Sequence, residues 1–174
     1  MILAAAIAAG AVFAWRNGEG AVRRDGPLAL PHRFSDASGS PAKLGAAYSW
    51  GGIYLSNRGT KTATVDRIML VGKPTEMRLI GMYAVRLKRS MIGLLEGYST
   101  QGPRVQRLSI RPGETYQVVV GVKVETPGRF LISAVRVRYH IDDARYEELF
   151  HQRLRLCAPA RAYENCPVLA ENLE

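Results

Sequence analysis

Several short motifs that mark common enzyme classes are missing from this sequence. It contains no Gly-x-Ser-x-Gly elbow for a serine nucleophile, no Gly-x-x-x-x-Gly-Lys loop for nucleotide phosphates and no reactive-cysteine signature. We therefore predict that the protein is not an enzyme and binds no cofactor. An unrecognised hydrolase stays an alternative, because a catalytic triad is defined by its geometry and not by its order in the chain.

Potential metal ligands are also few. None of the three histidines stands at ligand spacing from a cysteine, so a zinc site is not predicted. The histidines are His32, His140 and His151. Thioether groups bind cuprous ion when they converge with a histidine at one loop edge, which makes an exported copper-binding or metal-carrier domain a second alternative. The methionines concerned are Met69, Met77, Met82 and Met91, for which core packing is the competing interpretation.

Only two cysteines are present, Cys157 and Cys166. An even number at short spacing, in a chain with an apolar leader, predicts a disulfide and an oxidising compartment. Two free thiols in a cytosolic protein are the alternative.

The composition is that of a basic globular protein. Hydrophobic residues make up 47% of the chain and charged residues 22%, which argues against global disorder. The formal net charge is +9, and the basic residues are spread from Arg16 to Arg161 among acidic ones. This spread predicts a protein or an anionic partner, such as a lipid surface or an acidic envelope polymer. A nucleic-acid partner is not predicted, because it would need a basic stripe with stacking aromatics.

The chain begins with an apolar stretch, residues 1–15, followed by Arg16. As a helix this stretch would measure about 22 Å, less than the roughly 30 Å of a hydrocarbon core, and no basic residue precedes it. The simplest interpretation is a transmembrane or signal segment truncated at its start; a buried helix is the alternative. Residues 16–45, rich in Gly, Pro, Ser and Ala, are predicted to be a flexible linker that packs little against the domain.

Residues 46–174 are predicted to form the folded domain, with the disulfide in its tail. Alternating apolar runs separated by turn signals predict seven strands. These are Ala46–Ser56, Thr62–Val71, Met77–Leu87, Arg104–Ile110, Thr115–Val124, Arg129–Ile141 and Arg145–Cys157. Seven short antiparallel strands are typical of an all-β, immunoglobulin-like sandwich.

The apolar positions of Arg129–Ile141 change phase midway, which predicts a one-residue bulge near Ser133-Ala134. Residues 144–156 permit either a strand or a helix; a strand is favoured because a hairpin would close the sheet. The side chains expected to be buried are Trp50, Val118, Val120, Val135, Val137 and Tyr139.

Three segments resemble small immunoglobulin-like domains of actinobacteria: Trp50–Gly59, Ile110–Glu114 and Gly128–Tyr139. The similarity covers roughly residues 46 to 157. Such domains are typically exported, held by one N-terminal membrane helix and of unassigned function. The resemblance therefore implies a membrane-anchored, exported β-sandwich and supplies no catalytic residues.

Two pairs of adjacent carboxylates are candidate chemical sites. Asp142-Asp143 beside His140 could serve metal or acid–base chemistry, but a hairpin tip is favoured because aspartate suits turns. Glu147-Glu148 is interpreted as an exposed strand segment, since a catalytic pair needs a pocket that raises a pKa. No catalytic, cofactor-binding or metal-ligating residue is assigned.

Together these observations predict a non-enzymatic, extracytoplasmic binding or structural module, tethered to the cell membrane by a single N-terminal pass. The predicted partners are the membrane, through that segment, and a protein or an anionic envelope polymer.

Overall fold

The computed structural model describes residues 21–29, 37–87, 94–99, 102–162 and 166. Regular structure in these ranges consists of twelve strands and one turn of 3-10 helix, Ala160–Ala162. The strands are β1 (Leu28–Ala29), β2 (Ala37–Pro41), β3 (Ala47–Asn57), β4 (Ala63–Val71), β5 (Met77–Arg86), β6 (Leu94–Glu96), β7 (Ser109–Ile110), β8 (Thr115–Val124), β9 (Gly128–Ile132), β10 (Ala134–Ile141), β11 (Ala144–Phe150) and β12 (Arg153–Ala158). The all-β prediction is confirmed, whereas the immunoglobulin-like assignment stays a prediction.

The strands form two layers around one core. The first layer is a five-stranded sheet in the order β1-β3-β8-β5, with β6 also paired to β3. The second layer contains a four-stranded sheet, β11-β10-β4-β7, and a three-stranded sheet, β2-β12-β9. These two sheets are linked because β9 leads into β10, and β11 into β12, across short breaks. Strands pair antiparallel throughout, except for β2 with β12.

Alternating side chains of β8 build the centre of the core. Val118, Val120 and Val122 are fully buried against the second layer, and Trp50 of β3 lies in the same cluster. Burying a valine side chain contributes about 1.5–3 kcal/mol relative to leaving it exposed. Gly113, with φ 75°, makes the tight turn that precedes β8. All six side chains that the sequence predicts to be buried have 0% exposure, so that prediction is confirmed.

The predicted change of phase lies at Ser133, which separates β9 from β10. Phe130 and Ile132 before it are buried, and so are Val135 and Val137 after it. A second phase change, at Asp66 in β4, was not predicted. There the register against β10 shifts by one residue, so that Val65 and Ile68 both pack against the core.

The strand count was underestimated: seven strands were predicted and twelve are found. All seven predicted segments contain strands, but Arg129–Ile141 and Arg145–Cys157 each divide into two, and β1, β2 and β6 were not predicted. Residues 144–156 are strand and not helix. Arg104–Ile110 contributes only the short β7. The short edge strands were missed because they need backbone pairing and carry no alternating pattern.

Part of the predicted linker belongs to the folded unit. Within residues 16–45, β1 pairs with β3 and β2 pairs with β12, while Leu28 and Ala42 lie in the core. The apolar stretch 1–15 lies outside the described residues. In the ranges that the structure does describe, no helix is long and apolar enough to cross a membrane.

The C-terminal tail is attached to the second layer by the predicted disulfide. Cys157 near the end of β12 is bonded to Cys166, with 5.9 Å between their Cα atoms, and both residues are buried. The disulfide prediction is therefore confirmed.

Candidate functional site

Arginines cover the outer face of the second layer. In β10, Val135, Val137 and Tyr139 point into the core, so Arg136 and Arg138 between them point outward. The same alternation applies to β4, β9, β11 and β12, whose inward residues belong to or pack against the core. We call this surface the arginine face. Its seven arginines are Arg67, Arg129, Arg136, Arg138, Arg145, Arg153 and Arg155.

Cross-strand register brings some of these charges together. Arg67 on β4 lies directly opposite Arg138 on β10, and Arg138 lies opposite Glu147 on β11. Side chains in such positions have Cβ atoms about 5 Å apart, and like charges placed there destabilise a sheet. The Arg67–Arg138 pair therefore has a local electrostatic cost, which a bound anion would reduce.

Glu147 is the acidic residue among these arginines. Its carboxylate accepts a hydrogen bond from Nε of Arg138 at 2.6 Å and lies 3.5 Å from Nε of Arg136. The Arg138 guanidinium holds the pKa of Glu147 below its ordinary value. Within the described ranges Arg67, Arg145 and Arg153 form no ion pair. The arginine face thus keeps guanidinium groups available to an external anion.

A groove of about 700 Å³ lies at the end of the arginine face where β10 turns into β11. Arg138 and Arg145 line it, together with Asp66, His140 and Asp142 among others. Nδ1 of His140 lies 2.8 Å from a carboxylate oxygen of Asp66. Acidic groups are therefore part of this end, and the positive charge of the face increases away from it.

Asp142 and Asp143 form the hairpin tip that the sequence favours. Asp142 has φ 50°, a backbone conformation that aspartate tolerates, and its carboxylate accepts a 2.6 Å hydrogen bond from Lys61. The described residues contain no group of three or more His, Cys, Asp or Glu side chains placed to hold a metal. Both aspartates therefore lie in the turn between β10 and β11.

The adjacent Glu147 and Glu148 point to opposite sides of β11. Glu148 is half-buried on the inner side, where it accepts a hydrogen bond from the backbone N–H of Gly26 and lies 3.4 Å from the Tyr139 hydroxyl. Burial raises the pKa of Tyr139 well above its ordinary value. The two glutamates therefore do not form a carboxylate pair, and neither is exposed as the sequence predicted, since the Glu147 side chain is 21% exposed and Glu148 is half-buried.

The methionines and histidines do not converge where they are described. Met77 lies in the core, Met82 packs against it and Met69 occupies an outward position of β4. His151 is exposed between β11 and β12. Met91 and His32 lie outside the described residues.

The spacing of the arginines in the sequence predicts the arginine face, although their even distribution along the whole chain does not. Arg136-Val-Arg138 and Arg153-Leu-Arg155 place arginines at every second position of two strands. Because side chains alternate across a strand, such spacing gathers charge on one face even when acids are interleaved elsewhere. The even spread in sequence therefore does not persist in the fold.

Comparisons with known proteins identify no family. No family model matches the chain, and no curated protein matches it. Among solved structures, the VesB protease of Vibrio cholerae is similar with 13% identity and a TM-score of 0.43, over 75% of this chain and 32% of that one. A PapD-like (ASH) domain of human CEP192 is similar with 11% identity and a TM-score of 0.39, over 70% of this chain and 80% of that domain. The chain thus spans about a third of the protease, and neither similarity identifies a function.

Proposed function

We propose that this protein is a non-enzymatic binding module that holds an extended anionic polymer across its arginine face. The observation that carries the proposal is the placement of seven arginines on the outer face of the second layer, where Glu147 is shared by Arg136 and Arg138. Such a face contributes little to the stability of the fold. Its positive charge is therefore best explained by a ligand of opposite sign.

The geometry suits an extended ligand. Neighbouring strands lie about 4.8 Å apart, and alternate residues along one strand about 7 Å apart, so outward side chains form a grid over the sheet. Each guanidinium presents several N–H donors in a planar fork that matches phosphate, sulfate or carboxylate groups. A chain with regularly repeated anionic groups can contact several arginines at once, and each single contact can remain weak.

The proposed location is extracytoplasmic, with the module tethered to the cell membrane by the apolar segment 1–15. The Cys157–Cys166 disulfide supports an oxidising compartment, and the apolar segment supports export or anchoring. The outward positions of the described strands of the arginine face carry no Phe, Tyr or Trp. This favours a polymer without bases to stack, such as an acidic envelope polymer, over a nucleic acid.

The test compares two double variants of the full chain with equal net charge. Arg145→Gln/Arg153→Gln removes two arginines from the face, whereas Arg111→Gln/Arg161→Gln removes two exposed arginines located elsewhere. Calorimetric titration with inorganic polyphosphate and with polygalacturonate should give binding that weakens as salt is added. Since an arginine near an anionic surface contributes about 1 kcal/mol, the face variant should bind about 30-fold more weakly. The control variant should bind like the wild type.

Three results of the polymer titrations would contradict the proposal. They are the absence of saturable binding to either polymer, equal loss of affinity in the two double variants, and binding to neutral dextran with similar affinity. Vesicles with and without anionic lipid distinguish a lipid headgroup surface from a polymer. Tighter binding to vesicles than to both polymers would assign the face to the membrane surface and overturn the polymer proposal.

A further inference from the structure

A second candidate binding surface lies along one side of the sandwich, between β4 of the second layer and β5 of the first layer. It is a groove of about 790 Å³. Its apolar lining includes Ile68, Leu79, Ile80, Met82 and Val105. Leu79 and Ile80 are 41% and 39% exposed, and they are adjacent members of the small set of large hydrophobic residues found exposed in the described ranges. Apolar side chains clustered in this way at a concave site are characteristic of an interaction surface.

Both walls of the groove are strand edges. β5 is the last strand of the first layer, although Arg104 forms an isolated antiparallel bridge to Tyr83 on its outer side. In β4 the pairing with β7 involves Ala63 and Thr64, and backbone hydrogen bonds to the segment before β7 extend it to Val65. Among the described residues, no strand pairs with β4 between Arg67 and Val71 on the side away from β10. Such an edge presents unpaired N–H and C=O groups, to which a further strand can bind.

The two edges are not equally suited to a new strand. β5 has a bulge at Ile80, where its register against β8 shifts between Leu79 and Gly81. Bulges at edges interrupt further pairing. By contrast, the stretch of β4 from Arg67 to Val71 follows β10 in regular register. Five residues of regular edge are about 17 Å long, which matches a short extended peptide.

The charge at this groove is of one sign. Arg67 and Arg104 are among its lining residues, none of which is acidic. Neither arginine forms an ion pair in the ranges that the structure describes. An occupant with acidic residues beside its apolar ones would therefore complement the site.

We propose that the groove binds an extended segment of a partner protein, which adds to the edge of β4 as an extra strand. Alternate side chains of the segment are apolar and fill the groove over Leu79 and Met82, and an acidic residue pairs with Arg104. The groove shares Arg67 with the arginine face, but the addition of a strand to β4 is a separate role from the binding of a polymer. The two proposals can fail independently, because the peptide-binding experiment substitutes none of the arginines that are substituted in the polymer-binding experiment.

The probe is a library of random heptapeptides displayed on phage, selected on the full-length protein. Leu79→Asp places a charge in the groove and is used for counter-selection. Leu44→Asp is the matched control, because Leu44 is also 41% exposed but does not line the groove. We expect enriched peptides with apolar residues at alternate positions, an acidic residue and no central proline. A synthetic peptide of the enriched sequence should bind Leu44→Asp like the wild type, and Leu79→Asp and Arg104→Glu at least about tenfold more weakly.

Hydrogen exchange then tests the mode of binding. The bound peptide should slow amide exchange in β4 between Arg67 and Val71, because the added strand accepts hydrogen bonds there. The proposal is overturned if no sequence is enriched over the counter-selection, or if enriched peptides bind both aspartate variants equally. It is also overturned if sedimentation shows a dimer that Leu79→Asp dissociates, since the groove would then hold a second copy of the chain.

Discussion

The outer faces of the two layers are built in opposite ways. On the first layer, Tyr98 lies over Gly81 and Gly121, and its ring is 5.8 Å from that of Tyr83. Tyr83 and Val119, which also lie on this outer face, are buried although they do not belong to the central core. On the second layer, arginines occupy the corresponding outward positions and remain partly or fully exposed.

The outer face of the first layer therefore contributes to stability, whereas the outer face of the second layer is available for binding. Apolar contacts over the first layer remove surface from water and so stabilise the fold, and they need glycines because a side chain there would collide with the tyrosine ring. Partly exposed arginines of like charge provide no such gain. The face that contributes least to folding is the one best able to contact a partner, and substitutions on the two faces should have correspondingly different effects.

The largest effect on stability is expected from removal of the Cys157–Cys166 disulfide. Replacing both cysteines, Cys157→Ser/Cys166→Ser, should lower the free energy of unfolding by about 2.7 kcal/mol, because a loop of about ten residues is no longer closed in the unfolded chain. Urea denaturation followed by tryptophan fluorescence measures this. Reduction of the wild type should cause the same loss. Thiol labelling of denatured, unreduced protein from its native host should find no free cysteine; two free thiols would contradict the proposed compartment.

The second-largest effect is expected where the Tyr98 ring packs over Gly121 on the first layer. A Cβ atom added at Gly121 would lie 2.4 Å from two ring atoms of Tyr98, so Gly121→Ala should destabilise the fold by about 1–3 kcal/mol. The same substitution in a Tyr98→Ala background should cost much less, because the ring is gone. Thermal melts of the four proteins complete the cycle. Equal costs in both backgrounds would show that Tyr98 does not cover Gly121.

The smallest effect on stability is expected on the arginine face. The lowered pKa of Glu147 means that its charge favours the folded protein above the pKa of the unfolded chain, and that this contribution is lost as pH falls through the folded-state pKa. Glu147→Gln should therefore lower the melting temperature slightly at pH 7, and the difference should shrink as the pH falls below the ordinary pKa of a glutamate. Binding of polyphosphate should strengthen, because the arginines lose their internal acid. Glu125→Gln, next to Lys123 on the first layer, should leave binding unchanged.

The sequence predicted the central strands well because two local signals agreed there. Alternating apolar residues located β8, and turn residues such as Pro112-Gly113 located its start. The bulge at Ser133 was predictable because the apolar residues themselves changed phase. The change at Asp66 was missed because Ile68 and Leu70 alternate with Met69 and Val71, so either face could be apolar.

The candidate sites were less predictable. The sequence gives the arginines but not the partner strands, and only the pairing of β4 with β10 places Arg67 opposite Arg138. The groove depends even more on topology, because it requires knowing that β5 ends its sheet and that β7 covers only two residues of β4. Pairing between distant segments is a tertiary property that local patterns do not encode.

The two short N-terminal strands have a consequence for fragments of this protein. A chain that starts at Leu44 lacks β1 and β2, and so leaves β3 without one partner and β12 without another. It also loses Leu28 and Ala42 from the core. Two bare strand edges are templates for intermolecular pairing, so such a fragment would tend to aggregate. β1 and β2 therefore protect these two strand edges from pairing between molecules.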